Sequence, residues 1–84
     1  MDETTIRRQM RAFILTELIR EPDYPLRDDE GIISSGLMDS FALAELGVFV
    51  EETFDVYIPD ADLTVAKMDS LNQMVTRVLR DLPA

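Results

Sequence analysis

Gly36-Leu37-Met38-Asp39-Ser40-Phe41 is the stretch on which the reading of this chain turns. It ends a long irregular segment and opens the most apolar helical pattern in the sequence. Asp39 is a strong N-cap residue, and its carboxylate suits the positive end of a helix. From there Leu43, Leu46, Val50 and Phe54 recur on one face, which predicts a helix over 40–54 with a buried stripe. Phe41, Glu45, Val48 and Glu52 fall on another face at steps of four, three and four. With the first set buried, the second faces outward and presents two apolar groups with two carboxylates. Gly47 costs about 1 kcal/mol relative to Ala in a helix interior and is read as room for the close approach of a neighbouring helix.

Upstream, Ile6, Met10, Phe13, Ile14 and Leu18 form an amphipathic stripe that predicts a first helix over 4–20, capped by Thr4 or Thr5. Pro22 and Pro25 end it and hold the chain extended. Residues 21–39 then read as a loop. Tyr24, Leu26, Ile32, Ile33, Leu37 and Met38 are spaced along it as apolar anchors, and a loop so long in a small domain is usually functional or disordered. Downstream, Val56 and Ile58 are expected to point inward. Thr64 can cap a short helix over 65–68. Ser70 with Gln73 fits a capping box for a last helix over 70–82, with Leu71, Met74, Val75, Val78 and Leu82 as its stripe and Pro83 just beyond. The fold class is all-α: a small four-helix bundle of three longer helices and one short one, in a single domain over 1–84.

The 84 residues include no cysteine and no histidine, so disulfides and thiolate metal sites are excluded and the commonest general base is missing. No apolar run approaches the roughly 20 residues of a membrane span, and Met1-Asp2-Glu3-Thr4 lacks signal-peptide character. The expectation is a cytoplasmic, monomeric protein. Net charge is −9, and no Lys or Arg lies between Asp28 and Ala66. That acidic middle argues against nucleic acid and suits partners with basic docking surfaces.

Few residues offer chemistry. Asp60-Ala61-Asp62 begins like a calcium loop, but Val65 and Leu71 stand where the loop needs Gly and Glu. Glu51 and Glu52 are adjacent on a helix and do not face each other as an acid–base pair. Ser40 remains. It follows a glycine-containing loop at a helix N-terminus, where backbone N–H groups and the helix dipole favour a phosphate. Met38 and Phe41 flank it with apolar bulk that a simple cap does not need. With no histidine to activate the hydroxyl, a reaction at Ser40 has to be performed by another protein.

At this point the sequence resembles an acyl or peptidyl carrier protein. Gly36-Leu37-Met38-Asp39-Ser40-Phe41 is similar to that family's attachment motif, in which an Asp-Ser pair opens the second helix. The likeness extends over nearly the whole chain, through Glu51-Glu52-Thr53-Phe54-Asp55, Ile58-Pro59 and Asp69-Ser70-Leu71. It implies that a phosphopantetheinyl transferase converts Ser40 to a 4′-phosphopantetheine phosphodiester, using coenzyme A. The arm's thiol then carries an acyl or aminoacyl group as a thioester. Asp39 matches the family's Asp before the serine, which positions the helix start or the transferase's metal. Met38, Phe41, Glu45, Val48 and Glu52 match positions for partner docking.

The partners implied are that transferase, an acyl- or aminoacyl-loading ligase or adenylating enzyme, and downstream pathway enzymes. Fatty-acid carriers are usually less apolar around the serine than Leu37, Met38, Phe41, Ala42 and Leu43. The resemblance is therefore to carriers of specialised or secondary pathways, D-alanyl carriers included. Met1 and the lack of a flanking linker give the expectation of a discrete protein serving enzymes in trans. It is read as no enzyme itself. The alternative is an unmodified adaptor that binds basic partners through its acidic second helix. Leu46, Val50, Phe54, Ile58 and Val75 are read as ordinary core rather than as the lining of an acyl chamber.

Overall fold

A computed structural model describes residues 1–82 of the chain. Helix α1 (Glu3–Phe13) runs on into a π-helical turn, Ile14–Leu18. A long ordered loop leads to α2 (Ala42–Phe54). A 3₁₀ turn at Asp60–Asp62 and the short α3 (Val65–Met68) precede α4 (Leu71–Arg80). No strand occurs among the described residues, so the architecture is an all-α, four-helix arrangement. The position beyond the last helix expected of Pro83 lies outside the described residues.

The core takes Ile6, Met10, Ile14 and Leu15 from α1 and its π-turn, Leu43, Leu46, Val50 and Phe54 from α2, and Leu71, Met74, Val75 and Val78 from α4. The loops add Leu26, Ile32, Met38, Val56 and Ile58. Helix α4 is central, packed against both α1 and α3. Gly47 leaves space on α2 for Leu63, whose Cδ1 would lie 3.0 Å from an added Cβ. The neighbour it admits is therefore a loop side chain, not a helix.

Both ends of α1 differ from the pattern read in the sequence. Asp2, not Thr4 or Thr5, is the cap: its extended backbone lets Oδ1 accept from the Thr5 N–H at 2.9 Å, whereas Thr4 and Thr5 already lie within the helix. At the other end, Ile19 N–H donates to the Ile14 carbonyl at 2.8 Å, a five-residue step. This wider turn shifts the helical phase so that Leu15 joins Ile14 in the core while Leu18 is only partly buried. Glu21 N–H then donates to the Leu15 carbonyl at 2.9 Å across Arg20, which is left-handed at φ 63°. That bond spans six residues, one more than in the Schellman closure usually built around glycine, in keeping with the wider π-turn it ends.

The loop from 21 to 39 is held by polar fasteners as well as its apolar anchors. Arg7 and Arg11 both pair with Asp28, and Arg11 also donates to the Leu26 carbonyl. Asn72 N–H donates to the Asp28 carbonyl at 2.9 Å, which joins the loop to α4. Further along, the Asp69 carboxylate accepts from Ile33 N–H at 2.8 Å, Ser34 N–H at 3.0 Å and Ser34 Oγ at 2.6 Å. The Asp69 carbonyl accepts from Ile32 N–H at 2.7 Å. Burial pushes the Asp69 carboxyl up, but the hydrogen bonds from Ser34 and Ile33 outweigh it and hold the group below its ordinary value. Gly31 is required beside this clamp, because a Cβ there would lie 2.1 Å from Ser34 Oγ and 2.9 Å from Asp69 Oδ2.

Helix α4 starts with a capping box. Gln73 N–H donates to Ser70 Oγ at 3.2 Å, and Gln73 Oε1 accepts from the N–H groups of Ser70 and Asp69. Thr64 occupies the N-cap position of α3, but its side chain makes no capping hydrogen bond.

Candidate functional site

Ser40 is exposed at the start of α2. Regular α-helix begins two residues later than the predicted 40–54, at Ala42, because the backbone first makes a tighter turn. Ala42 N–H donates to the Asp39 carbonyl, Leu43 N–H to the Ser40 carbonyl and Ala44 N–H to the Phe41 carbonyl, each at 3.2 Å. Asp39 Oδ1 also accepts from Ala42 N–H at 3.2 Å, so the Asp39 side chain caps this lead-in turn. The chain reaches it through Gly36 at φ 88° and through Met38, whose N–H donates to the Ile32 carbonyl at 3.2 Å. A ladder of backbone bonds thus runs from Asp69 to Ile32 to Met38, and ends next to Asp39 and Ser40.

The residues grouped around Ser40 in the sequence separate here. Phe41 is 84% exposed and Val48 57% exposed, with Glu45 and Glu52 also on the surface of α2. Met38 is only 7% exposed and belongs to the core. Its assignment to a docking surface is corrected on that ground: the turn between Ile32 and Met38 points its side chain inward. Tyr57, outside that set, is also 66% exposed. Alternation was its available signal, since Val56 and Ile58 on either side are buried and successive extended residues point to opposite sides. Leu46, Val50, Phe54, Ile58 and Val75 all lie in the one apolar core.

Asp39 and Phe41, on either side of the serine, line an open groove of about 740 Å³ whose lining does not include Ser40 itself. One wall is the end of the first helix, with Glu17, Leu18 and Arg20. The other walls are the loop, with Ile33, Leu37 and Met38, and the start of α2, with Asp39, Phe41, Ala42 and Glu45. Among the described residues no group of three or more His, Cys, Asp or Glu side chains is arranged to hold a metal, and no helix is long and apolar enough to cross a membrane.

An all-α bundle that exposes an Asp-Ser pair where its second helix begins has the form of a small carrier protein. The D-alanyl carrier protein of Lactobacillus helveticus is 35% identical over 65 residues, which span 77% of this chain and 81% of that protein. The D-alanyl carrier protein of Lactobacillus acidophilus is 34% identical over the same length and coverage. The chain belongs to the carrier-protein family these relatives represent. No family model matches the sequence. No solved structure matches it either.

Proposed function

We propose that this protein carries an aminoacyl group, D-alanyl in the first instance, as a thioester on a 4′-phosphopantetheine arm attached to Ser40. The exposed serine at the start of α2 carries this reading, and the two D-alanyl carrier relatives supply the cargo. An exposed hydroxyl beside an open groove fits a long, linear covalent group. Once attached, the arm supplies the thiol that a cysteine-free chain lacks.

The protein's own residues do the presenting. Asp39 fixes the turn that holds Ser40 at the surface, and the N–H end of α2 favours the arm's phosphate. Phe41 and Val48 offer apolar contact to the transferase, the loading ligase and later pathway enzymes, while Glu45 and Glu52 steer basic docking surfaces. The chain acts as a protein-bound substrate rather than a catalyst, in the cytoplasm and in a specialised biosynthetic pathway.

The test is intact mass after incubation with coenzyme A, magnesium and a phosphopantetheinyl transferase. Wild type gains one phosphopantetheine and Ser40→Ala gains none. A folded wild type left unmodified by its cognate transferase overturns the reading and leaves α2 as the binding face of an unmodified adaptor.

A further inference from the structure

The groove beside Ser40 is charged in a way that a place for an unreactive arm would not require. Glu17, Asp39 and Glu45 line it against a single cation, Arg20, so its lining carries a net charge of −2. None of these four side chains joins an ion pair among the described residues, whereas Arg7, Arg11, Lys67 and Arg77 are all paired elsewhere. Between the charges lie Leu18, Ile33, Leu37, Phe41 and Ala42. The volume of about 740 Å³ falls within the roughly 300–1,000 Å³ of small-molecule sites. An anionic lining with apolar patches complements an occupant that is cationic at one end and otherwise uncharged or weakly polar. It disfavours one that ends in a carboxylate.

A group tethered at Ser40 reaches this groove within the molecule, at high effective concentration, so weak complementarity is enough to localise it. An aminoacyl thioester is such a group. Its carboxyl is consumed in the thioester, and its amino group is left free and protonated.

We propose that the groove is a resting site for the aminoacyl end of the arm, with the cargo's ammonium between Glu17 of the π-turn and Glu45 of α2. This rests on the reading of Ser40 as the attachment point. The π-turn then has a role in the site: it brings a carboxylate of the first helix to the side of the groove opposite α2. Once loading has occurred, the site holds an aminoacyl group on the carrier in preference to a neutral acyl group, with no downstream enzyme bound.

In the test the cognate phosphopantetheinyl transferase with magnesium loads the apo protein from coenzyme A, D-alanyl-coenzyme A or D-lactyl-coenzyme A, releasing adenosine 3′,5′-bisphosphate each time; the last donor has a hydroxyl in place of the ammonium. Intact mass verifies each form before amide spectra are recorded. The expected result is that the D-alanyl form shifts Glu17, Leu18, Ile33 and Glu45 amides beyond the unloaded form, that the D-lactyl form does not, and that Glu17→Gln reduces the D-alanyl shifts at least twofold. Identical spectra for the two loaded forms, or shifts confined to Asp39 through Phe41, overturn the resting site while the mass increment still supports Ser40. Absence of any increment removes the Ser40 reading, and this site with it.

Discussion

Among the described residues three backbone positions lie in the left-handed region, and their side chains make opposite predictions. Gly36, at φ 88°, has nothing within 4 Å of where a Cβ would stand. Gly36→Ala therefore costs the conformational term alone, about 1–2 kcal/mol. Arg20 (φ 63°) and Asp55 (φ 58°) close α1 and α2 in the same region with a Cβ already present. Arg20→Gly removes that cost at a helix closure where glycine is preferred, and raises stability by up to about 1 kcal/mol. Thermal unfolding reads both, at about 4–8 °C per kcal/mol for a domain of this size. A fall in melting temperature for Arg20→Gly would mean that the arginine makes a compensating contact. Asp55 gains less from the same change, since Asp tolerates the left-handed region better than Arg.

At the scale of elements, the Asp69 clamp decides how firmly the loop before Ser40 is held. Its carboxyl lies below the ordinary 3.8 in the folded state, so its contribution is fully present above that value. The contribution is lost as pH falls through the lower folded value. Amides of Ile33 and Ser34 are expected to lose hydrogen-exchange protection over that acid window, before the α4 amides do. Asp69→Asn should show the weakened protection already at neutral pH. Simultaneous loss in loop and helix would show that the loop does not open on its own.

A second element-level prediction concerns Phe13 and Phe49, whose rings stack at 4.1 Å with planes 12° apart and join α1 to α2. A double-mutant cycle to Ala should give a coupling of about 0.5–1.5 kcal/mol. Additive losses would show that the stack is only shared burial.

These elements also show where a sequence stops being legible. The α2 stripe and the Ser70–Gln73 box depend on spacings of three and four residues, which are visible in one dimension. The π-turn is not visible, because Ile14, Leu15, Leu18 and Ile19 are apolar in either helical phase and only the Ile14–Ile19 bond selects one. Phe49 falls between the buried and outward stripes of α2, so its partner had to come from the fold. The exposed Ser40 was legible because a helix start is local. The groove was not, since Glu17 and Arg20 reach it only after the loop has folded back across the helix ends.

Over the whole molecule, charge is sorted by whether it is used internally. Asp28 and Asp62 come from the stretch without cations, yet arginines from α1 and α4 neutralise them. Hydrogen bonds from Lys67 and Arg77 hold the Asp62 carboxyl below its ordinary value, against a smaller upward push from burial. On α2 the carboxylates Glu45, Glu51 and Glu52 join no ion pair among the described residues, so their field is not neutralised by those cations. Glu45→Lys with Glu52→Lys should then leave stability within about 0.5 kcal/mol, because the sites are exposed and unpaired. It should lower kcat/KM for modification of Ser40 at least tenfold, chiefly through KM, and flatten the salt dependence of that rate. Phe41→Ala tests the other half of the surface. It should lower the same kcat/KM without changing the salt slope, because it removes apolar contact and leaves the field intact. Equal salt slopes in the charge-reversed and native proteins would place electrostatic docking on some face other than α2, even with Ser40 still modified.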